Sequence, residues 1–563
     1  MRRIKSILVS SIVLTILSAA ACSKSGSSSN GSSILDSKTL SYIPASSLGF
    51  ATWDTQSESY KKLKASPFSA QMNRSYDLIK KAEAGADAET KKFFKIYDGL
   101  VQTGLWTKNA SQPEAIRTGV VFVDIDQATK LPQIGFFATA NDGNNLAEKV
   151  SAIQKIIAAE GIPTTPETIA GNTGFSIPVE EAAKAGSPIN KIYIAASADK
   201  LTITSNAPLA GKFYAADGEN GIQKIKDSNE FKQATRGIVA VGDSMTFAYF
   251  DVNKLISSLE TLGATTGVDA GANDLKEIPV ESFAAASSMK ESLSSIVSVS
   301  LNPKNEKQKN IISSLTASGD NQAVGRVPAD LMILISLDGG TIKSLKNAAL
   351  AEAPPGSAEM MQPMIDLVDS LKNISIGVRG ASGATPFPEV VLVAQTSKAA
   401  EIEKTLKSQL EAGMAASGMP IPWQEKTVGD AKVSYAVSPF GVGAYLTSSG
   451  DTVVLTTAEK LVGDVLTSAS SGKNLLASLP SDSQAMVKNS KSLFLAYSDF
   501  NKVGSAIGSA QDSLAMFTGG QGTLPADQIE SIKQMGSIFL SLNLDNNLVK
   551  LESTYAPPAV PKS

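Results

Sequence analysis

The chain repeats itself, and that repeat constrains its fold more than any other feature of the sequence. Ile43-Pro44-Ala45-Ser46 leads an apolar run that ends at Asp54, and Val327-Pro328-Ala329-Asp330 leads one that ends at Asp338. The spacing from proline to aspartate is the same in both. Ala248-Tyr249-Phe250-Asp251-Val252-Asn253-Lys254 matches Ala496-Tyr497-Ser498-Asp499-Phe500-Asn501-Lys502 at five of seven positions. Between these anchors residues 132–138 parallel 388–394, and residues 193–211 parallel 445–463 without a gap, with Asp199 over Asp451 and Leu209 over Leu461. Ser300-Leu301-Asn302 answers Ser541-Leu542-Asn543. Matched segments in the same order describe a tandem duplication.

The copies are expected over residues 40–317 and 324–555, with Ser318-Gly319-Asp320-Asn321-Gln322 as the seam and residues 556–563 as a Pro-rich tail. A chain of 563 residues is too long for one ordinary core, so two domains also suit its length. Within a copy, residues 120–126 and 133–140 are β-branched and aromatic runs separated by a polar turn, which predicts a hairpin. Leu146, Val150, Ile153 and Ile157 then fall on one face of a helix ending near Gly161, and Ile402, Leu406 and Leu410 mark its counterpart. A second hairpin turns at Asp199-Lys200, and again at Asp451-Thr452. Strand pairs with short turns, interleaved with helices, predict an α+β fold: a tandem duplication of a domain with antiparallel sheets flanked by helices.

The amino terminus carries a different kind of signal. Arg2, Arg3 and Lys5 precede an apolar run over residues 7–17, the length of a signal-peptide core and too short to span a bilayer. Ser18-Ala19-Ala20-Ala21-Cys22 follows and resembles the bacterial lipobox, with Ala19 where leucine is commonest. That resemblance implies cleavage after residue 21 and lipid on Cys22, the only cysteine in the chain. The alternative is an ordinary signal peptide cut after the alanines, leaving a free thiol. Residues 22–39, rich in Gly and Ser, read as a flexible tether. By analogy with enteric sorting, Ser23 favours the outer membrane where the cell has one.

Composition removes whole classes of chemistry. There is no histidine, so His-based triads, acid–base work and metal ligation are excluded. A single cysteine excludes an internal disulfide or a thiolate cluster. The net charge is −3, and −6 once Arg2, Arg3 and Lys5 leave with the signal (48 basic residues against 54 acidic). No basic stripe is present, which argues against nucleic acid as a partner.

Several short patterns invite a catalytic reading. Asp54, Asp251, Asp338 and Asp499 each end a strand-like run and precede a predicted helix, where an aspartate caps the first turn; acid–base carboxylates are the competing reading. Gly242-Asp243-Ser244 echoes a serine hydrolase motif but lies mid-chain without a histidine, and reads as a turn. Ser59-x-x-Lys62 and Ser470-x-x-Lys473 match the first box of penicillin-recognising enzymes without its companion boxes, and read as surface residues. Asp124-Ile125-Asp126 and Asp142-Gly143-Asn144-Asn145 lack the twelve-residue calcium pattern and read as a hairpin turn and a helix N-terminal loop. Thr518-Gly519-Gly520-Gln521-Gly522 lacks the Gly-Lys-Ser/Thr of a phosphate loop and reads as a surface loop. Phe93, Phe94, Tyr97, Trp53 and Trp106 read as core.

The Pro-Ala-Asp strand, the late Ala-Tyr-x-Asp strand and the tandem arrangement together resemble an uncharacterised family of exported bacterial proteins that carries only a domain-of-unknown-function label. The likeness covers most of residues 40–555 and implies no activity, cofactor or catalytic residue. The functional expectation is a membrane-anchored envelope lipoprotein, lipidated on Cys22, acting as a non-enzymatic binding or scaffolding module. No cofactor or metal is expected. Its partners are the membrane and an unknown envelope protein or apolar ligand. The alternatives are a carrier of a lipid or other apolar ligand, or a carboxylate- or Ser/Lys-based enzyme.

Overall fold

The computed structural model describes residues 40, 43–66, 95, 98–99, 101–105, 115–125, 132–179, 191–215, 225–236, 238, 244–266, 276, 278–289, 292–315, 322–351, 365–381, 387–416, 422–438, 443–489, 492–518 and 524–557. The chain forms two compact units, residues 1–304 and 305–563. The signal segment, Cys22, the tether and most of the tail lie outside the described residues, as do Phe93, Phe94, Tyr97, Trp106, Asp126 and the Gly519–Gly522 stretch.

The first unit's strands are β1 (Gly49–Asp54), β2 (Ile116–Ile125), β3 (Pro132–Ala140), β4 (Thr165–Ile169), β5 (Asn172–Pro178), β6 (Lys191–Ala196), β7 (Lys200–Thr204), β8 (Thr246–Asp251), β9 (Val280–Met289) and β10 (Leu293–Leu301). They pair antiparallel in the order β10-β9-β8-β1-β2-β3-β7-β6-β5-β4. The helices are α1 (Glu58–Ala65), α2 (Leu146–Ala159), α3 (Ala207–Ala215), α4 (Asn229–Thr235) and α5 (Val252–Thr266).

The second unit has strands β11 (Ile333–Asp338), β12 (Leu371–Arg379), β13 (Glu389–Thr396), β14 (Gln424–Val428), β15 (Ala431–Val437), β16 (Gly443–Ser449), β17 (Thr452–Thr456), β18 (Ser492–Asp499), β19 (Ser537–Asp545) and β20 (Leu548–Ala556). Their order, β20-β19-β18-β11-β12-β13-β17-β16-β15-β14, repeats that of the first unit strand for strand. Its helices are α6 (Glu306–Ser314), α7 (Gly339–Ala351), α8 (Ala399–Ala416), α9 (Glu459–Ser471), α10 (Leu475–Ser478), α11 (Ser481–Asn489), α12 (Phe500–Thr518) and α13 (Ala526–Lys533). The fold is therefore α+β, and the duplication extends to register. Ala51 faces Ala248 as Ile335 faces Ala496, and Tyr193 faces Thr204 as Tyr445 faces Thr456. A slip of one residue would turn every side chain to the other face, so shared register means shared buried positions.

Alternation along the strands sends apolar side chains to both faces. In the first unit Phe50, Phe122, Phe137, Phe247 and Tyr249 pack with Phe231 of α4 and Leu209 of α3. Across the sheet Ala138, Phe175 and Leu201 pack with Leu146, Val150, Ile153 and Ile157, the predicted stripe of α2. That helix is capped by Asn145, whose side chain accepts from the backbone of Ala147 and Glu148. One glycine shows how tightly the strands approach. A Cβ on Gly135 would lie 2.2 Å from the Phe122 ring, its cross-strand neighbour. In the second unit small and large exchange strands, Gly377 facing Val391.

Several expectations differ from the structure, among them that for Asp124: it lies not in a hairpin turn but within β2, 1% exposed and paired across the strands with Gln133. The compact units divide between Lys304 and Asn305, so α6, placed by sequence before the seam, belongs to the second unit, where it packs on α7. Ser59 is not a surface residue: at 2% exposure it shares the buried face of α1 with Leu63, four residues on, while Lys62 points outward.

Candidate functional site

The recurring aspartates sit where strands hand over to helices. Strand β8 ends at Asp251 and α5 starts at the next residue, leaving the first backbone N–H groups of the helix without partners. Asp251, only 1% exposed, supplies one: its Oδ1 accepts from the Lys254 backbone N at 2.9 Å. Its Oδ2 accepts from the Tyr249 hydroxyl at 3.4 Å and lies 3.5 Å from Lys254 Nζ. The same ammonium donates to the carbonyls of Ala45 and Ser47, at 2.6 and 3.4 Å. Lys254 thus ties the start of α5 to the segment leading into β1.

The second unit repeats this group by group. Asp499 Oδ1 accepts from the backbone of Asn501 and Lys502 at 3.1 and 3.2 Å, and Oδ2 accepts from the Tyr497 hydroxyl at 3.4 Å. Lys502 Nζ lies 3.3 Å from Asp499 Oδ2 and donates to the carbonyls of Ala329 and Leu331 at 3.0 and 3.1 Å. Asp338 acts similarly at the end of β11, accepting from the backbone of Gly340, but Asp54 does not cap a helix as expected: it accepts from Gln56 in the turn after β1, and α1 is capped three residues on by Ser57, whose hydroxyl accepts from the Tyr60 backbone N.

Burial raises the Tyr249 phenol well above its ordinary range, and the carboxylates of Asp251, Glu230 and Glu281 raise it further. Tyr497 is raised by burial and by Asp499. Both phenols therefore stay protonated and able to donate. Asp251→Ala or Asp499→Ala is expected to cost about 0.5–2 kcal/mol of stability, with Asn restoring much of it, measured by urea unfolding of the full chain.

Around the first tie lies a cleft of about 730 Å³, lined by Asp227, Glu230, Glu281, Asn253 and Thr261 among others. Asn253 Nδ2 donates to Glu281 at 3.3 Å and Gln233 Nε2 to the same carboxylate at 3.4 Å. Glu281 has no acidic counterpart in the second copy: Asp251 pairs with Ser282 and Asp499 with Ser537, which puts Gly536 at the position of Glu281.

The second unit holds an ion cluster that the sequence did not reveal. Arg379, at the end of β12 and 5% exposed, donates through Nε to Glu389 Oε2 at 2.8 Å and also pairs with it through Nη2. Nη1 donates to Asp464 at 2.7 Å and Asp330 at 3.1 Å. Burial pulls the Arg379 pKa down, but hydrogen bonds to Asp464 and Glu389 and the nearby Asp330 charge raise it by more. In the first unit the equivalent cross-strand pair is Asp124 and Gln133, joined by an amide hydrogen bond at 3.2 Å. The one hint was Asp330, which stands in the repeated Pro-Ala anchor where the first copy has Ser46.

The other singled-out residues do not converge. Ser59 and Lys473 lie in different units, and Asn145 serves α2. Trp53 stacks on Phe136 at 5.9 Å between ring centres. Among the described residues no three carboxylates or other ligating groups converge as a metal site, and no helix is long and apolar enough to cross a membrane.

No family model and no curated protein matches the chain. Among solved structures it is similar to TP0453 in three crystal forms. Form IV aligns with 40% of this chain and 78% of that chain at 11% identity and a TM-score of 0.23. Form III covers 49% and 86% at 8% identity and 0.24. Form I covers 49% and 84% at 10% identity and 0.23. Likeness at that level carries no argument about this chain's function.

Proposed function

We propose that this chain is an envelope lipoprotein, held to a membrane by lipid on Cys22, whose duplicated body is a non-enzymatic binding or scaffolding module. The carrying observation is how both copies use the polar residues they share. Asp251 and Asp499 cap helices, Tyr249 and Tyr497 donate to them, and Lys254 and Lys502 tie helix to strand lead. Carboxylates and amines so fully engaged build a rigid frame, which suits a scaffold. An acid or base must instead exchange a proton with a substrate at a cleft.

Crosslinking of the membrane-anchored protein, followed by affinity purification, tests the reading. A discrete envelope protein should be recovered repeatedly, and Asp251→Asn and Asp499→Asn should leave that capture intact as long as the protein is folded. An Asp251→Asn protein that is fully stable yet loses its cellular role would overturn the scaffold and favour a catalytic carboxylate.

A further inference from the structure

Both faces of the second unit's sheet are apolar, and only one of them is closed. Leu334, Val391, Val393, Leu495 and Phe539 point into the core. The alternate residues form the other face, where Ser553, Leu540, Ala496, Ile335, Ile376 and Leu392 lie side by side across six strands. The rows on either side, through Ile333 and Leu337, hold no charged residue. Helix α8 covers one margin, packing on Ala394 and Leu392. The rest is open: Ile335 and Ile376 are each 43% exposed, and Val390 and Leu551 nearly as much. Contiguous apolar surface of this kind marks a place of contact.

The first unit shows what such a face carries. Ala51, Ala248 and Ala285 stand at the positions of Ile335, Ala496 and Leu540, and all three are buried. Helix α1 packs on β9 there, and its buried Leu63 is no part of the Phe231 cluster on the opposite face. In the second unit the helix that follows the first strand, α7, packs on β12 instead, and Ile335 and Leu551 stay open. The footprint decides between occupants. Six strands about 4.8 Å apart and three rows about 7 Å apart make a patch of roughly 24 by 14 Å. A stable dimer needs about 800 Å² from each partner, more than twice that area. A helix is roughly 10–12 Å across, so one amphipathic helix fits.

We infer that the open face of the second unit's sheet docks an amphipathic helix of a partner protein, as the first unit's sheet holds α1. The inference rests on the binding-module reading and gives that module a docking place and a class of partner.

The test uses the full-length, membrane-anchored protein carrying the photocrosslinker p-benzoylphenylalanine in place of Ile376, irradiated in its own cells, with the adduct mapped by mass spectrometry. One protein adduct is expected, joined through a segment whose apolar residues recur at i, i+3, i+4 and i+7. Adding Ile335→Glu should cut its yield at least tenfold while leaving the unfolding curve unchanged; should that variant fail to fold, Leu551→Glu is judged by the same criterion. Adducts to lipid alone, to a second copy of this chain or to a segment without that stripe overturn the inference, as does no adduct or an undiminished yield in the folded variant. A partner recovered by general crosslinking but never from position 376 overturns the helix site and leaves the binding module standing. No partner by either route overturns both.

Discussion

Replacing Arg379 with methionine is expected to destabilise the second unit by about 3–5 kcal/mol, the usual cost of stranding a buried charge. The guanidinium is nearly sealed from water, and the Glu389 side chain beside it is only 9% exposed. With the cation gone, Glu389 keeps its burial and loses its counter-charge. Asp330 and Asp464, at 59% and 35% exposure, are wetter and contribute less. For a unit of this size the loss corresponds to a fall of roughly 6–20 °C in its melting temperature, read by calorimetry. The control is the double variant Arg379→Met with Glu389→Leu, which replaces the pair by apolar groups of similar bulk and should recover most of the loss. Equal damage in the double variant would mean that packing of the arginine stem, not charge compensation, holds this corner together.

The duplication was legible because its anchors are local. Proline, the strand after it and the aspartate that closes it lie within a dozen residues, as do Tyr249, Asp251 and Lys254. The capping role of Asp251, Asp338 and Asp499 was legible for the same reason, since a cap acts two or three residues ahead; Asp54 differs because a turn separates it from α1 and Ser57 takes the cap. Strand order was not. The pairing of β3 with β7, across more than sixty residues, is decided by contacts that no short window contains. Arg379 was missed because an arginine before Gly380 reads as a solvated strand end; its partners come from β13, from α9 and from the lead into β11. Ser59 was misjudged by residue type alone, although its spacing from Leu63 already placed it on the inward face. The lysine ties show the limit most clearly. Lys254 reaches carbonyls more than two hundred residues earlier in the chain, so its partners become visible only once β1 and β8 lie side by side.

Cys22→Ser is expected to have the largest effect of all, moving the protein almost wholly from the membrane fraction to the soluble one and abolishing palmitate labelling. The argument is one of buried hydrocarbon. Each methylene placed in the bilayer contributes about 0.8 kcal/mol, a single chain holds a protein only reversibly, and two chains make a lasting anchor. A lipobox cysteine carries diacylglycerol, so the thiol is the point through which two chains are attached. Serine offers no thiol and takes neither. The body should be untouched: it begins at Leu40, fully buried in the first core, some eighteen residues beyond the substitution across a Gly/Ser-rich segment. Unfolding of the released protein should therefore match that of the wild-type body, which separates loss of the anchor from loss of fold. If the wild type takes no label, the signal is an ordinary one cut after Ala21, and Cys22 is a free thiol. If the Cys22→Ser protein still labels and still sediments with membranes, the anchor is elsewhere, and the reading of the amino terminus is wrong.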